Sequence, residues 1–128
     1  MNWLHDTWLH DTWLHDTWLH DLAYLFGGAF LANAVPHFVS GVMGRPFQSP
    51  FATPPGQGLS SSTVNVLWGF FNLVVGYLLI CRVGDFDLRS TEHVVACGLG
   101  ILLLALPMAR RFGRFNGGNP PFDKTEAR

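Results

Sequence analysis

Beyond residue 21 the chain alternates between long apolar runs and shorter polar ones. The apolar runs cover residues 22–43, 63–81 and 92–109, and the first two contain no Asp, Glu, Lys or Arg. Each approaches the ~20 residues needed to cross about 30 Å of hydrocarbon. A soluble helical protein can bury one such run, but three in 128 residues point to lipid. The predicted fold is therefore all-α, a transmembrane helical bundle of three spans.

The polar segments fit this division. Residues 44–62 carry Pro46, Pro50, Pro54 and Pro55 with Gly56 and Gly58. Proline removes a helical donor and clashes with the preceding turn, so this stretch is predicted to be a loop. Residues 82–90, with Arg82, Gly84, Asp85, Asp87 and Arg89, read as a polar turn. Residues 110–128 read as a basic polar tail, kept irregular by Gly117, Gly118, Pro120 and Pro121. Three parts result: a tail over 1–21, a transmembrane domain over 22–109 that includes the 44–62 loop, and the C-terminal tail.

Within the spans, small and polar residues fall at helical spacing. Ala29, Asn33, His37, Gly41 and Gly44 lie near one face of the first helix. Asn65, Gly69, Asn72 and Gly76 make a seam on the second, and His93, Cys97, Gly100 and Leu104 repeat that spacing on the third. Lipid penalises outward Asn or His, and small residues let membrane helices approach closely. The three seams are thus expected to face one another, with Gly41, Gly44, Gly69, Gly76 and Gly100 as packing positions. Asn33 and Asn72 lie near the middle of antiparallel spans and are expected to hydrogen-bond. His37 then falls near Asn65 and Gly69. Pro36 frees the carbonyl of Ala32 and is expected to kink the first helix.

Residues 1–21 repeat Trp-Leu-His-Asp-Thr, with Trp at 3, 8, 13 and 18. A period of five advances about 140° beyond a full helical turn, so the tryptophans form no stripe. On a strand an odd period sends them to alternate faces. The plain reading is a locally duplicated unit. Leu–Trp pairs at i,i+4 can still support a loose helix whose tryptophans suit a headgroup region.

Charge then sets an orientation. Charged residues make up 13% of the chain, against about 25% in soluble domains. The net charge of −1 conceals an acidic tail with four Asp and no Lys or Arg, and a basic remainder. Arg45 and the five cations of 110–128 outnumber Arg82 and Arg89, which lie among Asp85, Asp87 and Glu92. The positive-inside rule puts the 44–62 loop and C-terminus in the cytoplasm and the N-terminus outside. No basic patch is large enough for nucleic acid, and the N-terminus lacks the basic n-region of a secretory signal peptide.

Candidate chemistry is sparse. The His-Asp pairs at 5–6, 10–11, 15–16 and 20–21 hold ligand types for zinc or copper, but ligands on one helical face need i,i+3 or i,i+4 spacing. No metal, cofactor or catalytic set is expected. Asp85, Asp87, Glu92 and His93 read as the cap of the third helix, with Ser90 or Thr91 as N-cap. Cys81 and Cys97 read as buried thiols without metal spacing. No span carries a carboxylate beside His37, unlike the proton relays of pumps. The 19-residue loop offers Phe47 and Phe51 to the interface or to a partner.

The stretches Asn33-Ala-Val-Pro-His-Phe-Val-Ser-Gly-Val-Met-Gly-Arg-Pro-Phe and Leu59-Ser-Ser-Ser-Thr-Val-Asn-Val-Leu-Trp-Gly-Phe-Phe-Asn resemble small bacterial multi-pass inner-membrane proteins, a family with no activity attached. The resemblance runs from Tyr24 to about Gly118 and implies a bacterial cytoplasmic membrane location. The expected function is a non-enzymatic membrane subunit, scaffold or accessory factor. The expected partners are the lipid bilayer and either further copies of the chain or a larger membrane protein. The alternative is an oligomeric channel or small-solute transporter with Asn33, His37, Asn65 and Asn72 along its path.

Overall fold

The computed structural model describes residues 3–118, with side chains from Thr17 onward. Its helices are α1 (Trp3–Val42), α2 (Ser62–Tyr77), continued as a π-helical stretch (Leu78–Val83), and α3 (Thr91–Asn116). Three segments are long and apolar enough to cross a membrane: Thr17–Val42, Ser62–Val83 and Thr91–Asn116. The expected all-α architecture of three candidate spans is present.

The helix boundaries have local causes. At the end of α1 the Arg45 N–H reaches the Ser40 carbonyl at 2.9 Å and the Gly44 N–H reaches Gly41 at 3.0 Å. This is the paired closure of a Schellman motif, and it puts Gly44 at φ +71°, where a Cβ is unwelcome. An added Cβ would meet nothing within 4 Å, so Gly44 ends the helix and is not the packing residue the seam implied. Ser61 caps α2 by accepting from the Val64 N–H at 3.3 Å, and Ser90 caps α3 by accepting from His93 at 3.4 Å. Gly117, at φ +85°, ends α3.

Two expectations about helix extent change. The repeat belongs to α1, whose backbone is helical from Trp3 and continues through Pro36. A period of five forbids an amphipathic stripe, but it does not forbid a helix. No Gly or Pro lies between Trp3 and Phe26 to interrupt one. The 40 residues of α1 span about 60 Å, well beyond a bilayer's hydrocarbon. The third helix likewise runs to Asn116, past the expected end at 109. Arg110, Arg111 and Arg114 thus ride on a helix, because the chain stays helical through Gly113 and turns left-handed only at Gly117.

The packing differs more. Helices α2 and α3 both lie along α1 and scarcely touch each other. The three seams therefore do not meet at one axis. Adjacent glycines make the hub possible, because consecutive helical residues point about 100° apart. A Cβ on Gly27 would press on Ile80 at 2.5 Å, while one on Gly28 would overlap the Cys97 carbonyl. Each glycine thus admits a different neighbour. Gly41, Gly69 and Gly76 admit the α1–α2 contact. Added Cβ atoms there would lie 2.7 Å from the Ser62 oxygen, 2.5 Å from the Phe38 nitrogen and 2.8 Å from Leu31, respectively. Gly100 meets the Leu25 carbonyl across the α1–α3 contact.

The interior is as polar as it is apolar. Among the described residues the buried set holds Ala23, Tyr24, Ala34 and Ile80 beside His37, Gln48, Ser49, Asn65 and Asn72. Large apolar side chains point outward on every helix, including Val35, Leu67, Phe70, Leu103 and Leu106. Such an arrangement suits a lipid solvent, where polar groups turn inward and apolar ones need no burial.

Candidate functional site

Polar side chains converge where the 43–61 loop folds over the ends of α1, α2 and α3. The loop is held by a short antiparallel ladder, Phe47–Gln48 against Leu59–Ser60, with Phe47 opposite Ser60. Ser49 ties its interior. Its carbonyl accepts from the Gly56 N–H at 2.7 Å, its hydroxyl contacts the Ser60 hydroxyl at 2.6 Å, and the same oxygen accepts from Phe51 N–H at 3.1 Å. The loop is therefore a folded cap on the bundle.

Asn65 joins this cap to the helices. Its Nδ2 donates to the carbonyls of Phe47 at 3.2 Å, Ser60 at 3.1 Å and Ser61 at 3.0 Å. Carbonyls only accept, so the amide orientation is determined and Oδ1 must face His37. His37 Nδ1 lies 2.8 Å from that oxygen and must carry the proton. In neutral His37, Nε2 is then a lone-pair acceptor, and it has no partner among the described residues. The ring is 2% exposed and is ringed edge-on by Phe47, Trp68 and Phe112, with centroids 5.4, 6.4 and 6.1 Å away.

One turn deeper, Asn33 Nδ2 donates to Asn72 Oδ1 at 2.9 Å, the expected pair. Asn72 Nδ2 donates in turn to the Trp68 carbonyl at 2.7 Å, which fixes this amide as well. The pair stabilises the α1–α2 contact by roughly 0.5–1.5 kcal/mol. Asn72→Leu should lower the melting temperature in detergent, and adding Asn33→Leu should recover much of the loss. Strictly additive losses would show that the two amides are not coupled.

Two cavities adjoin these residues. One, of about 320 Å³, is lined by Asn33, His37, Gln48, Ser49, Arg111 and Phe112, among others. The second, of about 280 Å³, runs deeper and is lined by Ala29, Phe30, Asn33, Trp68, Asn72 and Leu104. Asn33 and Trp68 border both. The Trp68 indole N–H is buried without a hydrogen-bond partner. Asn116 donates to Gln48 at 3.1 Å and so places the end of α3 against the loop. A larger hollow of about 550 Å³ between Phe51, Val64, Leu67, Trp68 and Phe71 is apolar.

The structure thus brings together Asn33 with Asn72 and His37 with Asn65. Reading the spans alone missed Gln48, Ser49, Trp68, Arg111 and Phe112. Their only sequence signal is an aromatic and cationic cluster at segment ends, and nothing in spacing pairs residue 48 with residue 111. Two other expectations are corrected. Phe47 packs inward against His37 and Phe112, while Phe51, 63% exposed, faces out. Cys81 is free and exposed on the side of the π-helical stretch, so only Cys97 is partly buried.

At the opposite end, Tyr24 is fully buried and its hydroxyl accepts from the Asp85 N–H at 2.9 Å. Its ring lies 4.6 Å from His93 and 5.3 Å from Phe86. His93 Nδ1 accepts from the Asp87 N–H at 3.0 Å. These bonds tie the 84–90 turn to α1 and α3. Among the described residues no His, Cys, Asp and Glu cluster can hold a metal ion. The His-Asp pairs of the repeat before residue 17 lie outside the described side chains.

Comparison with known proteins finds no matching family, no matching curated protein and no matching solved structure.

Proposed function

We propose that this chain is a non-enzymatic integral membrane component, a small subunit or accessory factor of a larger membrane assembly. The observation that carries the reading is how the seam amides are used. Asn65 spends its amide on three loop carbonyls and on His37, and Asn72 is held by Asn33 and Trp68. Amides committed in this way act as interhelical glue, whereas a solute pathway needs polar groups free to exchange partners.

The resemblance noted above supports a bacterial inner membrane. Arg45, Arg110, Arg111 and Arg114 sit at the loop end, and Asp85, Asp87 and Glu92 at the turn end. By the positive-inside rule the loop end is cytoplasmic and the N-terminus lies outside.

Single cysteines test both points, in a background carrying Cys81→Ser and Cys97→Ala. Asn72→Cys should resist a water-soluble thiol reagent in the membrane, and rapid labelling there would favour the channel reading. On intact cells an impermeant reagent should reach Leu88→Cys and not Arg45→Cys, and the reverse would invert the topology. Native mass spectrometry in mild detergent then examines the partner. A second protein bound to the chain supports the accessory role, while a closed ring of copies alone argues for a pore.

A further inference from the structure

We propose that the cleft between α2 and α3 binds an anionic amphiphile, with its acidic headgroup at Arg111 and His37 and its acyl chain along the groove floored by α1. This goes beyond the accessory role and does not depend on it.

The cleft exists because α2 and α3 both pack on α1 and not on each other. Its two cavities share the walls Asn33 and Trp68, so the polar chamber under the loop adjoins the deeper groove. At about 320 and 280 Å³, each is near the ~300 Å³ lower bound of ligand pockets. The polarity is graded along the cleft. The loop end offers Arg111, His37, Gln48 and Ser49, while the deeper end offers Ala29, Phe30 and Leu104 beside Asn33 and Asn72, whose amides bond each other. A headgroup and chain have the same gradient in the same order.

Three groups at the polar end lack partners. The Arg111 guanidinium lies against the loop, with an Nη 3.0 Å from where a Cβ on Gly56 would sit. It makes no hydrogen bond or ion pair among the described residues. His37, a side chain 2% exposed, lines the chamber with Nε2 unpartnered. The indole N–H of Trp68, a residue that borders both cavities, is buried and unsatisfied. Of the three, the Trp68 N–H is buried, and a buried polar group without a partner is uncommon; Arg111 is exposed and open to a ligand.

The fixed tautomer of His37 narrows the chemistry. Nδ1–H is committed to Asn65, so neutral His37 presents an acceptor at Nε2. Arg111 presents only donors and takes an anionic oxygen, in two parallel bonds where the geometry allows. The best headgroup carries both an anionic oxygen for Arg111 and a hydroxyl for Nε2. A phosphate ester bearing a free hydroxyl meets that requirement, as does a hydroxylated carboxylate.

The test uses the full chain in nanodiscs holding equal phosphatidylglycerol and phosphatidylcholine with matched acyl chains, followed by native mass spectrometry. The expected result is one phosphatidylglycerol retained per chain, about tenfold over phosphatidylcholine, the scale of a charge-assisted hydrogen bond. Arg111→Gln should bring the two lipids near parity, while Arg114→Gln, on the same helix, should leave the preference unchanged. Leu104→Trp should fill the groove and abolish retention with Arg111 still present. Unaltered melting of Arg111→Gln, an exposed position, keeps loss of fold apart from loss of site.

Equal retention of both lipids by the native chain would overturn the proposal. So would an Arg114→Gln effect matching that of Arg111→Gln, since bulk surface charge would then explain it. Displacement of the lipid by inorganic phosphate together with indifference to Leu104→Trp would assign the site to a free anion. A lipid-free dimer would assign the cleft to a second copy of the chain. Each of these outcomes is separate from whether a partner protein is bound.

Discussion

Gly100→Ala is expected to drive α3 off α1 and to lower stability by about 1–3 kcal/mol or more, the range for overpacking a close contact. Gly100 is buried, and a Cβ there would overlap the carbonyl oxygen of Leu25. Backbone cannot rotate aside as a side chain can, so the helices must part. Parting also loosens the neighbouring contact of Gly28 with Cys97. Gly98→Ala, two residues away, is the control, because nothing lies within 4 Å of its added Cβ. That change should be neutral or stabilising by up to about 1 kcal/mol through helix propensity. Thermal unfolding in detergent reads both. Equal melting temperatures for the two variants would mean that α3 does not pack on α1 through Gly100.

Asn65→Leu is the second large effect. Leucine has similar bulk and no polar atoms. The change strands the His37 Nδ1 proton and removes the donor shared by the Phe47, Ser60 and Ser61 carbonyls. The Ser61 carbonyl still accepts from the Asn65 backbone N–H at 3.1 Å, so it suffers least. Each group left unsatisfied in a buried site costs about 1–3 kcal/mol, and the total should reach about 3 kcal/mol or more. Because Phe47 and Ser60 face each other in the ladder, the loop should open and become a protease target. His37→Phe breaks only one of these bonds while keeping the ring, so it should cost less and leave the loop protected. If the two variants melt alike with equally protected loops, Asn65 acts on His37 alone and not as the clasp of the loop.

The spans were legible because lipid imposes a simple rule on sequence. A membrane helix must satisfy its own backbone and cover about 30 Å with apolar side chains, and a run of ~20 such residues records that directly. The Asn33–Asn72 and His37–Asn65 pairs were legible for a related reason. Polar groups in hydrocarbon must face protein, so seam spacing and antiparallel depth limited their partners. Gly44 misled because spacing cannot distinguish a small residue in a contact from one in a left-handed turn. Only the Schellman bonds of Gly44 and Arg45 separate the two. The repeat shows the opposite case, since its period of five removes amphipathicity while a helix there requires only the absence of breakers.

The sequence by itself determined that this chain is helical, that three segments can span a bilayer, and that amides and glycines line their contacts. Those outcomes depend on local propensity and on transfer from water to lipid, which each residue carries wherever it goes. Tertiary structure alone decided that α1 is the hub, that α2 and α3 splay apart, and that Arg111 meets His37, Gln48 and Ser49 around one chamber. The angle between Gly27 and Gly28 made room for two neighbours, but which helix took which glycine depended on how whole surfaces fit. A seam pattern specifies a face and leaves its partner open. The cleft is the space left when two helices fit a third better than they fit each other.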